Sequence, residues 1–391
     1  MKLALLALLA PAIAMAQPAA KKLTPAQSLA KVEATYSRQS PPPTLIPAVL
    51  PQHETCPAYG CQPTASDGGR TRSHRRARDF EVLSLARFVE LHDVMPPPRE
   101  VLPGRFYMIT RRCTQRQFLL RPDEETNNAF TYCLAEAAAR FEIDVILPSA
   151  MSNHHHTVVF DRHGRVIEFI TRFHRHLAKC QNALRGWWEN HWSSDGVSIV
   201  HLVDRVDVIR EAIYAASNPV KDGLVDRVDH WPGVNGLYPL LNGRLLHARR
   251  PAHFFRADGP MPAEVTLELT IPPELGDPAY FLGAVRDGVA AVEAEHTSLR
   301  ARTGRGVLGR RRILRQSWCD SPTTHEPRRT LSPRVAARSK WHRIEALQRN
   351  RAFVAEYRAA RVAWLAGLPT VFPPGTYWLR RFAGVPVAPI A

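Results

Sequence analysis

The amino-acid sequence predicts an α+β fold, in which an antiparallel β-sheet is flanked by helices. Between residues 105 and 223, segments typical of strands and segments with helical spacing follow the order strand, helix, strand, strand, helix, strand, helix. Two of these strands are neighbours in the chain, which favours antiparallel pairing. A single sheet covered by helices is therefore the expected core.

The first elements follow from short stretches. RFYMITRR at residues 105–112 favours a strand, because it contains β-branched and aromatic residues. PDEETNNAFTYCLAEAAARFE at residues 122–142 predicts a helix, since acidic residues in its first turn suit the positive end of the helix dipole. IDVILPSAM and HHHTVVFD then predict two adjacent strands.

The later elements are two helices around a short strand. His174 and His176 cannot share one face of the helix predicted at residues 165–186, so we expect both on the surface. VSIVHL predicts the strand, and VDRVDVIREAIYAASNPVKDGL predicts a helix that ends at Pro219 and Gly223. The apolar face of the helix at 165–186 contains Ile167, Ile170, Phe173, Leu177 and Leu184.

Composition divides the 391-residue chain into four parts. Residues 1–94 begin like a secretory signal peptide, with Lys2 and an apolar run, and continue as a Pro-rich and basic stretch typical of a disordered linker. Residues 95–240 form the predicted central domain. Residues 241–299 are expected to be a small accessory α/β segment, and residues 300–391 a basic, partly helical C-terminal extension.

The charge predicts an anionic partner. Lys and Arg number 52 against 36 Asp and Glu, a net charge of +16, which suits nucleic acid, with solubility as the alternative. Six cysteines without CxxC spacing argue against a zinc module. GRGVLGRR lacks the Lys of a phosphate-binding loop. A basic cluster with nearby aromatic residues predicts phosphate contacts, unless it is only a solvated face: Arg310, Arg311, Arg312 and Arg315.

The strand HHHTVVFD places His154 and His156 on one face, because side chains alternate with a period of two. Two imidazoles so placed can bind one divalent ion, since neutral histidine is a common metal ligand. The alternative is a polar or chance histidine run.

The later helix offers two further groups for this site. Tyr214 and Asn218 are four residues apart and so share a helix face. An Asn oxygen suits Mg²⁺ or Mn²⁺, and a phenol beside such an ion can act as a nucleophile. Tyrosine on a helix is more often a packing residue, which is the alternative.

Together these motifs resemble a known family. LPSAMSNHHHTVVF resembles the metal-binding strand of the HUH single-tyrosine transposases, and AIYAASNPVKDGLVDRVDHWP resembles the catalytic helix of their REP-associated branch. The family pattern of His, one spacer, His, then Tyr, three spacers and NPV falls on His154, His156, Tyr214 and Asn218 in the same order. The resemblance covers about residues 103–240.

The resemblance implies an HUH nuclease fold, similar to ferredoxin and RRM domains. It also implies a metal-dependent endonuclease and strand transferase that acts on single-stranded or hairpin DNA through a 5′-phosphotyrosine. Tyr214 would be the nucleophile, and His154, His156 and Asn218 would hold Mg²⁺ or Mn²⁺. Further DNA contacts are expected from Arg111, Arg112 and Lys221.

One residue departs from the family pattern. The spacer is usually hydrophobic, whereas here it is His155, which should lie on the opposite strand face. We expect this residue to be tolerated at the edge of the sheet or to loosen the fold.

Two other classes of protein remain alternatives: a catalytically degenerate DNA-binding protein and an exported metal-binding or hydrolytic protein. Metal-dependent nicking would separate the enzyme from the first, and fractionation would identify the second. A DNA strand transferase acts inside the cell, so we expect a cytoplasmic monomer or homodimer, with no membrane span and a translation start nearer Met95.

Overall fold

The computed structural model describes residues 98–324 and 332–390 of the chain. The predictions of a leader and a linker in residues 1–94 lie outside these residues. Within the described residues, no helix combines the length and apolar character needed to cross a membrane.

A five-stranded sheet forms the centre of the fold and confirms the predicted α+β class. Its strand order is β2-β3-β1-β4-β7, and every neighbouring pair is antiparallel except β4 and β7. The five strands are β1 (Arg105–Arg112), β2 (Ile143–Ala150), β3 (His154–Asp161), β4 (Ser198–Leu202) and β7 (Val335–Ala336). A separate hairpin consists of β5 (Leu246–Arg249) and β6 (Glu264–Leu267).

Eight α-helices accompany the strands in the part of the chain that the structure describes. They are α1 (Glu124–Phe141), α2 (Val166–Arg185), α3 (Arg205–Lys221), α4 (Leu237–Leu241), α5 (Pro278–Thr303), α6 (Arg310–Arg315), α7 (Lys340–Leu365) and α8 (Trp378–Ala383).

The two faces of the sheet bury different helices. Helices α1 and α2 pack on one face, where Tyr107 and Ile109 of β1 point. Helix α3, supported by α5, packs on the other face, where Phe106 and Met108 point. This division follows from strand alternation, because successive residues of β1 point in opposite directions. The sheet is thus the middle of three layers, with helices on both of its faces. Each large apolar side chain buried there contributes roughly 1.5–3 kcal/mol to the stability of the fold.

Local sequence explains where the helices begin. The carboxylate of Asp123 caps α1 by accepting a hydrogen bond from the Thr126 backbone amide. Asp161, the last residue of β3, accepts hydrogen bonds from the backbone amides of Arg165 and Val166 at the start of α2. Asp204 and Asp207 form a reciprocal capping box that starts α3.

The end of α3 differs from the prediction. Pro219 does not end this helix but lies inside its last turn, and the helix continues to Lys221. The chain turns at Gly223, whose positive φ of 67° favours glycine. Proline is tolerated here because only the final turn loses a backbone hydrogen bond.

The segments predicted as accessory and C-terminal pack against the central domain. The β5–β6 hairpin contacts α1, and α5 contacts α3. The amides of Leu308 and Gly309 donate to the carbonyl oxygens of Gly223 and Leu224. β7 extends the main sheet beside β4, so part of the basic region belongs to the same fold.

Candidate active site

A large cleft contains the residues of both motifs. It encloses about 1060 Å³ between β1, β3, the end of α3 and the segment 308–324. The side chains of His154, His156, Tyr214 and Asn218 all line it. The structure therefore brings together four residues that are separated by up to 64 positions in the sequence.

Strand pairing sets the positions of the two histidines. In the antiparallel register of β1 and β3, His154 is opposite Arg112 and His156 is opposite Thr110. Because the period is two, these four side chains share the face that carries α3. The rings of His154 and His156 are perpendicular, with centroids 4.8 Å apart.

Each of these histidines is fixed through its Nδ1 atom. His154 Nδ1 lies 2.7 Å from Asn153 Oδ1, which can only accept, so Nδ1 donates and Nε2 carries a lone pair. His156 Nδ1 lies 2.8 Å from the hydroxyl oxygen of Thr110. Burial is the main cause that lowers the pKa of His156 well below its ordinary value. The imidazole of His156 thus suits the neutral form that binds metals.

Helix α3 brings Tyr214 and Asn218 to the same cleft. The ring centroids of Tyr214 and His156 are 5.2 Å apart, and the Tyr214 side chain remains 40% exposed. Asn218 is buried, and its Nδ2 lies 3.1 Å from His154 Nε2. One helical turn separates the phenol from the amide, as the spacing of four predicts.

Lys221 adds positive charge beside the phenol. Its Nζ lies 4.6 Å from the centre of the Tyr214 ring. Burial lowers the pKa of Lys221, and the nearby carboxylates of Glu211 and Glu295 act in the opposite direction. A cation at this distance interacts favourably with the face of the aromatic ring.

The donors of the cleft fit a divalent ion held by two imidazoles and one amide oxygen. Among the described residues, the buried His156 Nε2 has no hydrogen-bond partner and is available as a ligand. Rotating the Asn218 amide by half a turn would place its oxygen near His154 Nε2, because the two ends of an amide have nearly the same shape. No cluster of three or more His, Cys, Asp or Glu suited to a metal occurs in residues 98–324 and 332–390, so Asn218 would have to complete the set.

The predicted DNA contacts fall in different places. Arg112 lines the cleft, and Lys221 lies beside Tyr214. Arg111 instead lies on the opposite face of the sheet, which does not fit the predicted contact, because adjacent strand residues alternate. The basic cluster forms α6, which begins two residues after Leu308, a residue that lines the cleft. The arginines of this cluster are exposed: Arg310, Arg311, Arg312 and Arg315.

The spacer His155 is buried inside the sheet, so the expectation that it lies at an edge is wrong. β3 lies between β2 and β1 rather than at an edge, and the His155 side chain is fully buried. Its Nε2 lies 2.8 Å from His174 Nε2, and its Nδ1 lies 3.1 Å from the hydroxyl oxygen of Thr157. The fold satisfies this residue with hydrogen bonds, so its presence gives no reason to expect a loosened core.

The predicted surface positions of the α2 histidines also need correction. His174 is 1% exposed and accepts a hydrogen bond from Arg111, whose Nη1 lies 3.1 Å from His174 Nδ1. The His176 side chain is mostly buried and contacts Glu136. Helical spacing placed them on different faces correctly, but both faces are covered by other elements.

Two contributors to the cleft were absent from the sequence analysis. Thr110 orients His156, and the segment 308–324 lines one side through residues that include Asp320 and Thr323. Thr110 could have been found from the predicted strand, since it lies on the strand that pairs with β3. No local signal marks the segment 308–324, because its approach depends on the path of the whole chain.

Comparison with known proteins gives limited similarity. A solved structure of the REP-associated tyrosine transposase bound to a REP hairpin has a TM-score of 0.32 to this chain and is 16% identical. The match covers 37% of this chain and 84% of that chain. No protein-family model and no curated protein matches the chain. At this TM-score the similarity is weak, so the site is described from its own geometry.

Proposed function

We propose that this protein is a metal-dependent endonuclease and strand transferase for single-stranded or hairpin DNA. In this proposal Tyr214 is the nucleophile, and His154, His156 and Asn218 hold Mg²⁺ or Mn²⁺. The observation that carries it is the position of Tyr214, whose ring lies 5.2 Å from that of His156 in a cleft open to solvent.

The proposed metal ligands His156 and Asn218 are buried, whereas the proposed nucleophile is exposed, which suits this chemistry. His156 and Asn218 are each 5% exposed, whereas Tyr214 is 40% exposed. Ligands that are held rigidly bind a metal with less loss of entropy, while a nucleophile must reach its substrate.

The proposed step exchanges one phosphate ester for another. The Tyr214 oxygen forms a bond to phosphorus as the bond from phosphorus to the 3′-oxygen breaks. The phenolic proton passes to solvent, and the departing 3′-oxygen takes up a proton. A divalent ion at the histidines would supply positive charge beside the scissile phosphate. The 5′-phosphotyrosine keeps the ester bond, so strand transfer requires no nucleotide hydrolysis.

Lys221 and Arg112 have roles consistent with this step. Lys221 lies over the Tyr214 ring and adds positive charge beside the proposed nucleophile. Arg112 lines the same cleft and can donate hydrogen bonds to phosphate oxygens. The cleft volume of about 1060 Å³ suits a short unpaired strand better than a small metabolite.

The test is Tyr214→Phe, which removes one oxygen and little volume. A DNA hairpin with an unpaired flank is incubated with the protein and Mn²⁺, and covalent protein–DNA adducts are separated on a denaturing gel. We expect the adduct with the parent protein and none with Tyr214→Phe, because no phenolate remains. Tyr280→Phe, at an exposed tyrosine of α5, is the matched control and should behave as the parent.

Two results would contradict the proposal. An adduct that persists in Tyr214→Phe would exclude Tyr214 as the nucleophile. A parent protein that binds the hairpin but forms no adduct with either Mn²⁺ or Mg²⁺ would indicate a DNA-binding protein without the activity.

A further inference from the structure

A second cavity lies on the other face of the sheet from Tyr214. It encloses about 280 Å³ between the strands β1, β4 and β7 and the helix α7. Tyr107 and His201 line it from the sheet, where they are partners in the register of β1 and β4, with ring centroids 6.0 Å apart. The volume is at the lower end for ligand pockets, so a small chemical group is the appropriate occupant.

The lining of this cavity is rich in guanidinium groups. Four guanidinium groups line it against three carboxylates: Arg99, Arg105, Arg334 and Arg349 against Glu100, Asp204 and Glu345. One carboxylate, Glu100, is shared by two of the arginines, Arg105 at 2.6 Å and Arg349 at 3.3 Å. One carboxylate therefore offsets two guanidinium groups at this point.

The two histidines of the cavity, His201 and His342, also affect its charge. Burial, reinforced by the charges of Arg105 and Arg349, lowers the pKa of His201 to about 4. Asp204 accepts a hydrogen bond from His342 Nδ1 at 2.7 Å, which raises the pKa of His342. The Asp204 carboxylate is thus paired with His342 rather than with an arginine of the cavity.

Tyr107, which lines this cavity, has a buried hydroxyl. Tyr107 is 2% exposed, and within the residues that the structure describes its buried hydroxyl has no acceptor for its proton, while the Arg105 guanidinium lies close enough to donate to its oxygen. Burial raises its pKa to about 12, although the nearby Arg105 acts in the opposite direction. The phenol therefore keeps its proton and is a hydrogen-bond donor. A buried donor left unsatisfied is costly, so its presence in native structures calls for a ligand or another explanation.

We propose that this cavity binds a phosphate group. The Tyr107 hydroxyl and the side chains of Arg105 and Arg349, which share one carboxylate, donate hydrogen bonds to its oxygens and balance its charge. A metal ion does not suit a site lined by four guanidinium groups. The phosphate can belong to a DNA backbone or be a free phosphate or mononucleotide, which share this chemistry. The inference does not depend on the reactivity of Tyr214.

The experiment measures binding to the full-length protein with two probes. Inorganic phosphate is titrated in by isothermal calorimetry, and a fluorescent single-stranded oligonucleotide by anisotropy at fixed salt. Tyr107→Phe should weaken phosphate binding roughly tenfold, since one hydrogen bond to a charged group is lost. Arg349→Gln should also weaken binding. Tyr280→Phe and Arg351→Gln are matched controls outside the cavity and should bind as the parent does.

The two probes separate the sources of the phosphate. A loss for both probes identifies the DNA backbone, and a loss for inorganic phosphate alone identifies a free phosphate or mononucleotide. Unchanged binding of both probes to Tyr107→Phe and Arg349→Gln would overturn the proposal. Thermal unfolding gives an independent check, because removing a buried hydroxyl whose proton has no acceptor should leave the melting temperature unchanged or higher. A clear decrease in Tyr107→Phe alone would show an internal acceptor and count against the proposal.

Discussion

The two faces of β3 present adjacent histidines in opposite environments. On one face His154 and His156 line a solvent-filled cleft beside Tyr214, and the buried Nε2 of His156 has no partner among the described residues. On the other face His155 is fully buried against His174 and Trp192. Three consecutive residues of one type thus serve two different purposes.

Hydrogen bonding fixes the protonation of the inner face. The Arg111 guanidinium donates to His174 Nδ1, so the proton of His174 is on Nε2, and it donates to His155 Nε2. His155 Nδ1 then donates to the Thr157 hydroxyl. Burial lowers the pKa of His155 to about 3, and it lowers that of His174 as well, which agrees with this neutral chain.

The difference shows what makes a histidine available for chemistry. The inner imidazole of His155 uses both nitrogens in the core, whereas the outer imidazoles use Nδ1 for orientation and present Nε2 to the cleft. The residue type and the strand are the same, so the face of the strand and the partners found there decide what each imidazole can do. Substitutions on the two faces should therefore separate activity from stability.

The largest expected effect is on the outer face. His156→Ala should reduce DNA cleavage by roughly 10³-fold or more, because a ligand of the proposed metal is lost. Binding of Mn²⁺, measured by calorimetry, should fall in this variant and stay nearly intact in Tyr214→Phe. The melting temperature should fall as well, since the substitution removes a buried ring and the hydrogen bond between His156 Nδ1 and Thr110, so cleavage is compared at a temperature where both proteins are folded. Cleavage at the parent rate would exclude His156 as a ligand.

The matching change on the inner face should have the opposite result. His174→Leu leaves Arg111 and His155 without their buried partner, so we expect a loss of roughly 3 kcal/mol in the free energy of unfolding. Cleavage below the melting temperature should remain. Denaturant unfolding measures this change. An unaltered free energy of unfolding would mean that the hydrogen bonds of His174 stabilise the fold no more than a leucine packed in the same place does.

Acid should destabilise the fold through the buried histidines. Burial lowers the pKa of His191 to about 3 and that of His176 and His201 to about 4. These groups stay neutral in the folded state, while the unfolded chain binds protons below about pH 6.5. Stability is therefore complete above pH 6.5 and falls as the pH drops towards 4.

Each of these histidines contributes up to about 1.4 kcal/mol per pH unit in that window. Urea unfolding between pH 7.5 and 4.5 measures the slope. His201→Gln should reduce this slope, because it removes one of the histidines that burial holds neutral. A stability that is constant across this window would show that the histidines are not held neutral.

The smallest expected effect concerns the hydroxyl groups that orient the histidines. Thr110→Val removes the oxygen that lies 2.8 Å from His156 Nδ1 and should weaken Mn²⁺ binding roughly tenfold. Thr157→Val removes the equivalent oxygen beside His155 Nδ1 and should leave Mn²⁺ binding unchanged while lowering stability. Equal effects of both variants on Mn²⁺ binding would remove the distinction between the two faces.

Much of the fold was determined by the sequence through local rules. Strand and helix spacing predicted β1 to β4 and α1 to α3 in the correct order, because alternation and the helical repeat depend only on neighbouring residues. The same rules placed His154 and His156 on one face, and Tyr214 and Asn218 on another. The prediction that Pro219 ends the helix was wrong, because a proline in the last turn of a helix does not prevent the helix from continuing for two more residues.

The tertiary structure alone decided how these faces meet and which histidines are satisfied. The approach of α3 to β3, the parallel addition of β7 to β4, and the segment 308–324 beside the cleft all join residues that are far apart in the chain. His174 is buried because Arg111 and Trp192 cover it, which its helical position does not reveal. Local spacing fixes the direction in which a side chain points. The environment of that side chain depends on packing between distant elements, and this environment sets the pKa and the hydrogen-bond partners of the side chain.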